Sequence, residues 1–250
     1  QAKVLTVVTK SSSSAMTAAT WDLQLIEKRG RWLLAWLSDE EIRALPEIEL
    51  LRNAASGTLV IWQELDQISN SLSLFDREMM EQMSRANDHL GLVFHRFLDA
   101  MPNERMEIFI NDSKIESVDP FQSKIQGTQT KPTVTVELPG GVIRVTPYIL
   151  SHVSQLPKEE RKKVEDSKKR YKDLQGFYVY RGKRLISHGG WFRLNPKTEL
   201  AKMARVMVDT PNSLDREWRL GIMKSSVEPP PELKRVLANL VPNIVGDSRR

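Results

Sequence analysis

A chain of 250 residues, 40% hydrophobic and 28% charged, is long enough for one large or two ordinary soluble domains with proper cores. It has no cysteine, which removes disulfide and thiolate chemistry and points to a reducing cytoplasm, and its net charge of +5 permits an acidic partner without requiring one. No apolar run approaches the ~18 residues of a membrane helix, and His89, His95, His152 and His188 are too scattered for a structural zinc site.

In chain order, Val4 to Thr9 reads as a strand met almost at the first residue, as expected of a piece whose upstream portion lies elsewhere. Ser11 to Ser14 is a polar loop. Ala18 to Ile26 and Arg31 to Leu37 read as two further strands of a meander around Arg29-Gly30. Ser38 followed by Asp39, Glu40 and Glu41 starts a helix that Pro46 stops. Gly57 to Leu65, GTLVIWQEL, holds the β-formers Val60, Ile61 and Trp62 and reads as a buried strand closing a sheet. That strand is the expected seam between two α/β units.

Residues 66–88 suit a partly exposed helical connector. Leu90, Val93, Phe94 and Phe97 then fall at helical spacing, with His95 off their face. Met106 to Ile110 is expected to turn at Asn111-Asp112-Ser113 and return as Lys114 to Val118, and 120–132 is expected to be a loop. Pro139-Gly140-Gly141 between Thr133–Leu138 and Val142–Leu150 is a hairpin signal, and Gln175 to Ser187 is another, turning at Arg181-Gly182. Met203–Asp209 and Trp218–Met223 read as strands, and Pro230 to Leu240 as a terminal helix whose prolines suit a first turn.

Lys158 to Lys172 is the densest charge run, with eight basic residues against four acidic ones. A solvated helix with internal ion pairs accounts for it. A phosphate-contacting face would use Arg161, Lys162, Lys163, Lys168, Lys169 and Arg170, but Tyr171 is the lone aromatic, so base stacking has no support. No nucleophile elbow, phosphate-cradling GxxxxGK[ST] loop or GxGxxG turn is found.

Gly57-Thr58 entering LVIWQEL resembles the last strand of the Bergerat nucleotide-binding fold of the GHKL ATPases. The helix LGLVFHRFL, the strand MEIFINDSKI and the hairpin QGFYVYRGKRLI resemble the transducer domain of MORC ATPases and their prokaryotic relatives. That resemblance implies an α/β (α+β) chain. Residues 1–70 would be the C-terminal part of the nucleotide-binding domain, 71–227 an S5-like transducer and 228–250 a helical tail.

It further implies that Thr58, after Gly57, bonds adenine, and that Lys224 in DREWRLGIMKSS reaches the ATP γ-phosphate. The family's Mg2+-binding Asn, general-base Glu, Asp-x-Gly-x-Gly loop and glycine-rich lid are not found and are expected in an upstream segment of the same protein. Alone, the chain is expected not to hydrolyse ATP. The implied whole is an ATP-gated switch that dimerises on nucleotide binding and acts on DNA, in bacteria in defence against foreign DNA. A non-catalytic DNA- or protein-binding module with an S5-like fold is the alternative, and chaperone-like remodelling shares the same machinery.

Overall fold

The computed structural model describes residues 2–65, 72–156, 158, 161, 172–215, 217–220 and 227–248. They form a mixed α+β structure in two compact units, Gln1–Gln82 and Met83–Arg250.

The first unit holds β1 (Ala2–Lys10), β2 (Thr17–Asp22), α1 (Leu23–Arg29), β3 (Ala35–Trp36), α2 (Asp39–Arg43), α3 (Ile48–Asn53) and β4 (Gly57–Leu65). Its four strands pair antiparallel in the order β3-β2-β1-β4. The stretch Ala18 to Ile26 does not stay extended. At Asp22 the carboxylate accepts from the Gln24 and Leu25 amides, capping α1, and left-handed Gly30 ends that helix rather than turning a meander. Only Ala35 and Trp36 of the expected third strand pair with β2. Helix α2 starts after Ser38 as the sequence indicates, and the capping box that Ser38 closes with Glu41 holds the Glu41 carboxyl below its ordinary pKa.

The largest correction in this unit concerns β4. It is an edge strand, not a buried one, and its Trp62 is 67% exposed. Helices α2 and α3 cover one face of the sheet, where Val8, Ala18, Ile42, Ile48 and Leu51 form the core. The described elements of this unit leave the other face bare.

Helix α4 (Leu72–Val93) contains the division between the units. The second unit continues with α5 (His95–Leu98) and a short hairpin of β5 (Phe109–Ile110) and β6 (Ser113–Lys114). Next come β7 (Gln129–Thr130), β8 (Val134–Leu138), β9 (Gly141–Ile149), β10 (Gly176–Arg181), β11 (Arg184–His188) and β12 (Ala204–Thr210). A small pair, β13 (Arg219–Leu220) with β14 (Val227–Glu228), precedes α6 (Pro231–Asp247).

The six-stranded sheet runs β11-β10-β12-β9-β7, with β8 also on β9. Its β10 and β12 are parallel and the remaining pairs antiparallel. Here the expected 120–132 loop yields two residues, β7, to the sheet. The Gly176–His188 hairpin turns at Gly182-Lys183, both left-handed, one residue beyond the expected place. Helix α6 starts at a proline as expected and runs on to Asp247, because its buried stripe of Leu233, Leu237, Val241, Ile244 and Val245 continues past Leu240.

Both faces of this second sheet are covered. Phe177, Val179, Val206 and Val208 pack with the α6 stripe on one side, and Tyr178, Tyr180, Leu185 and Phe121 cluster on the other.

Candidate functional site

Residues directly opposite in an antiparallel ladder share a face, and neighbours along a strand alternate. The register therefore sorts the first sheet without ambiguity. Val8, Ala18 and Leu59 form one row of the covered face, where Gly57 also lies opposite Lys10. On the bare face a first row holds Trp36, Ala19, Val7 and Val60, and a second holds Trp21, Leu5 and Trp62. Trp36 is 68% exposed and Val60 51%. Thr17, Thr9 and Thr58 make a third row, all three exposed.

The Gly-Thr pair that opens β4 has two different jobs. A Cβ on Gly57 would lie 3.0 Å from the Leu51 Cδ1, so the missing side chain lets β4 start close against α3. Thr58 turns the opposite way, onto the bare face. The approach is fastened by Lys10, whose ammonium donates to the Arg52 and Ala54 carbonyls, both at 2.7 Å, at the end of α3. Thr9 Oγ1 donates to the Gly57 carbonyl at 3.4 Å. Thr58 thus lies exposed in the threonine row, next to the row that holds Trp36 and Val60.

An open concavity of about 330 Å3 lies by the covered face, lined by Lys10, Ser14, Met16, Asp39, Arg43 and Arg52 among others. Gly57 and Thr58 do not line it. Lys224 lies outside the described residues, as do Lys162, Lys163, Lys168, Lys169 and Arg170. Of the expected phosphate-contacting residues Arg161 is described, and its Nη2 donates to the Ser154 carbonyl at 2.7 Å and that of Leu156 at 3.3 Å, bracing the turn before it. Among the described residues no group of three or more His, Cys, Asp or Glu could hold a metal.

His95 corrects the sequence reading in another way. Helix α4 ends at Val93 and α5 begins anew at His95, so the helical phase resets and the imidazole turns inward instead of off the buried face. Its Nε2 shares a 2.7 Å hydrogen bond with the Tyr180 hydroxyl. Burial lowers the His95 pKa to about 4 and raises that of Tyr180. Beside this pair, Arg96 pairs with Asp209 and its guanidinium lies 5.0 Å from the Tyr180 ring centroid. A neutral imidazole bonded to a phenol in the core binds elements together; it is a satisfied core histidine.

Sequence reasoning also missed Gln175. Its buried amide donates to the Lys172 and Thr198 carbonyls and accepts from the Trp191 indole and the Thr198 amide. Nothing local marks a glutamine as a four-bond clamp, since all its partners but one lie well away along the chain.

No protein-family model matches this sequence, and a search of curated proteins finds no match. Among solved structures the chain is similar to the B subunit of the DNA gyrase from Myxococcus xanthus. The superposition has a TM-score of 0.43 and 11% identity, and covers 98% of this chain and 67% of that one.

Proposed function

We propose that the first unit is the C-terminal part of a GHKL-type nucleotide-binding domain, and that the chain is part of an ATP-gated switch that closes as a dimer on DNA. The observation that carries this reading is the bare face of the first sheet, with Thr58 at its border. Three exposed tryptophans beside Leu5, Val7 and Val60 make an apolar surface of the kind that marks an interaction site. The outer edge of β4, unpaired among the described residues, is a second unfinished feature, nine residues long with one charge, Glu64. A segment that packs on that face and extends the sheet beyond β4 would complete both. In this reading it also brings the metal ligand, the general base and the lid that these residues lack.

Thr58 then faces the buried gap between sheet and cover. Its hydroxyl can donate and accept at once, which suits an adenine edge directly or through a water. Lys224 would place an ammonium at the terminal phosphate, where charge develops during transfer.

The test uses the protein with its upstream coding sequence. Thr58→Ala should weaken ATP affinity roughly fivefold, the worth of one hydrogen bond of about 1 kcal/mol. Lys224→Ala should lower turnover by about 10²-fold and largely spare binding. Wild-type nucleotide affinity in the Thr58 variant, with wild-type turnover in the Lys224 variant, would overturn the reading. Thr58-dependent turnover by these 250 residues alone would overturn the need for a covering segment.

A further inference from the structure

The loop between β11 and β12 contains a backbone conformation that its residues do not favour. The Leu194 amide donates to the Trp191 carbonyl at 2.8 Å, closing a four-residue turn whose central residues, Phe192 and Arg193, have φ of 48° and 63°. Such a turn suits Asn-Gly, because a side chain at positive φ crowds the backbone. Among the described residues this is the one place where two consecutive non-glycine residues are left-handed.

The surroundings impose the conformation. The Phe192 ring stacks on Phe177 with centroids 4.8 Å apart and planes 8° from parallel. Trp191 is buried, and its indole donates to Gln175 Oε1 at 3.0 Å. Upstream, Gly189 and Gly190 are also left-handed, and Gly190 passes so close to Gly176 that a Cβ there would lie 2.1 Å from the Gly190 oxygen. Packing therefore accounts for Trp191 and Phe192. It does not account for Arg193, whose side chain is exposed and makes no hydrogen bond or ion pair among the described residues.

We propose that Arg193, on a backbone held by its packed neighbours, contacts a phosphate of a nucleic-acid backbone, with Lys197 supplying a second cation on the same loop. Strain held in place by over-determined surroundings is characteristic of binding positions. A planar guanidinium presents a two-pronged donor to a phosphate and loses less side-chain entropy per hydrogen bond formed than an ammonium does. From His188 to Lys197 the loop has two cations and no acidic residue. Lys197 is anchored through its Nζ on the Asp173 carbonyl at 2.8 Å. The Gln175 amide bonds the Lys172 carbonyl at 2.7 Å, tying the loop to the last residue of the basic run. A protein partner would call for an apolar centre, yet Trp191 is turned inward and Phe192 lies against Phe177. A polyanion needs only the charges.

The test is a titration of the full chain against a fluorescent 30-base-pair duplex, without nucleotide, across a salt series. Failure of the ATP reading leaves this assay untouched. Arg193→Gly should raise the thermal midpoint by about 2–4 °C as the strain is relieved. The same variant should bind DNA roughly fivefold more weakly, with the log–log salt slope reduced by about 0.9. Arg193→Lys, which keeps the charge and loses the fork, should fall between. Wild-type affinity and slope in Arg193→Gly at a raised midpoint would overturn the proposal. So would poly-glutamate that displaces the duplex at equal charge concentration and senses the same variant, which would indicate an acidic protein partner instead.

Discussion

In the second sheet the central strands β10 and β12 are covered on both faces: Phe177 and Val179 pack with helix α6, while Tyr178 and Tyr180 meet Phe121 and Leu185. In the first sheet Val8 and Ala18 are buried under α2 and α3, while Trp36, Val60 and Trp62, on the other face of the same strands, are exposed. Both sheets carry apolar residues on both faces. The difference teaches that an apolar face identifies a surface meant to be covered without saying what covers it, and that an uncovered face points to function better than a buried core does.

Removing packing from the covered sheet should have the largest effect. Leu237→Ala, wholly buried on α6 against that sheet, should destabilise the fold by about 4 kcal/mol in urea denaturation. The core on the other side can be probed by pH. His95 has its pKa lowered to about 4 from 6.5, mainly by burial. The folded state therefore favours the neutral imidazole. Its contribution is fully present above pH 6.5, is lost as pH falls toward 4, and amounts to about 3 kcal/mol at the end of that window. His95→Gln should flatten stability against pH there relative to wild type. A parallel profile would mean that the imidazole is charged in the fold.

Gln175→Ala should cost about 2–3 kcal/mol, because it leaves the buried Trp191 indole N–H unpaired and releases the Thr198 amide. Limited proteolysis should then cut first between Gly189 and Lys197. On the bare face, by contrast, Trp62→Thr should change stability by no more than ~0.5 kcal/mol, the usual range for an exposed position. A loss as large as that of Leu237→Ala would break the comparison, since it would show that the face is covered in solution.

Much of the local structure was legible. The helix start at Ser38, the glycine turns of the two longer hairpins and the proline start of α6 are signals whose physics acts over three or four residues. Misreadings arose where two local signals competed. The alternation through Ala18–Ile26 suggested a long strand, and the cap at Asp22 ended it. His95 was placed by counting on from Leu90, but the count restarts where α4 gives way to α5.

The amino-acid order alone determined where this chain turns, caps and alternates, because those choices depend on a few bonds between near neighbours and on the φ each residue tolerates. Tertiary structure alone decided which faces those alternations bury. It made β4 an edge and Gln175 a clamp, and it held Arg193 in a turn it would not choose. Burial, edge position and strain are properties of partners distant along the chain, and no short stretch of sequence contains them.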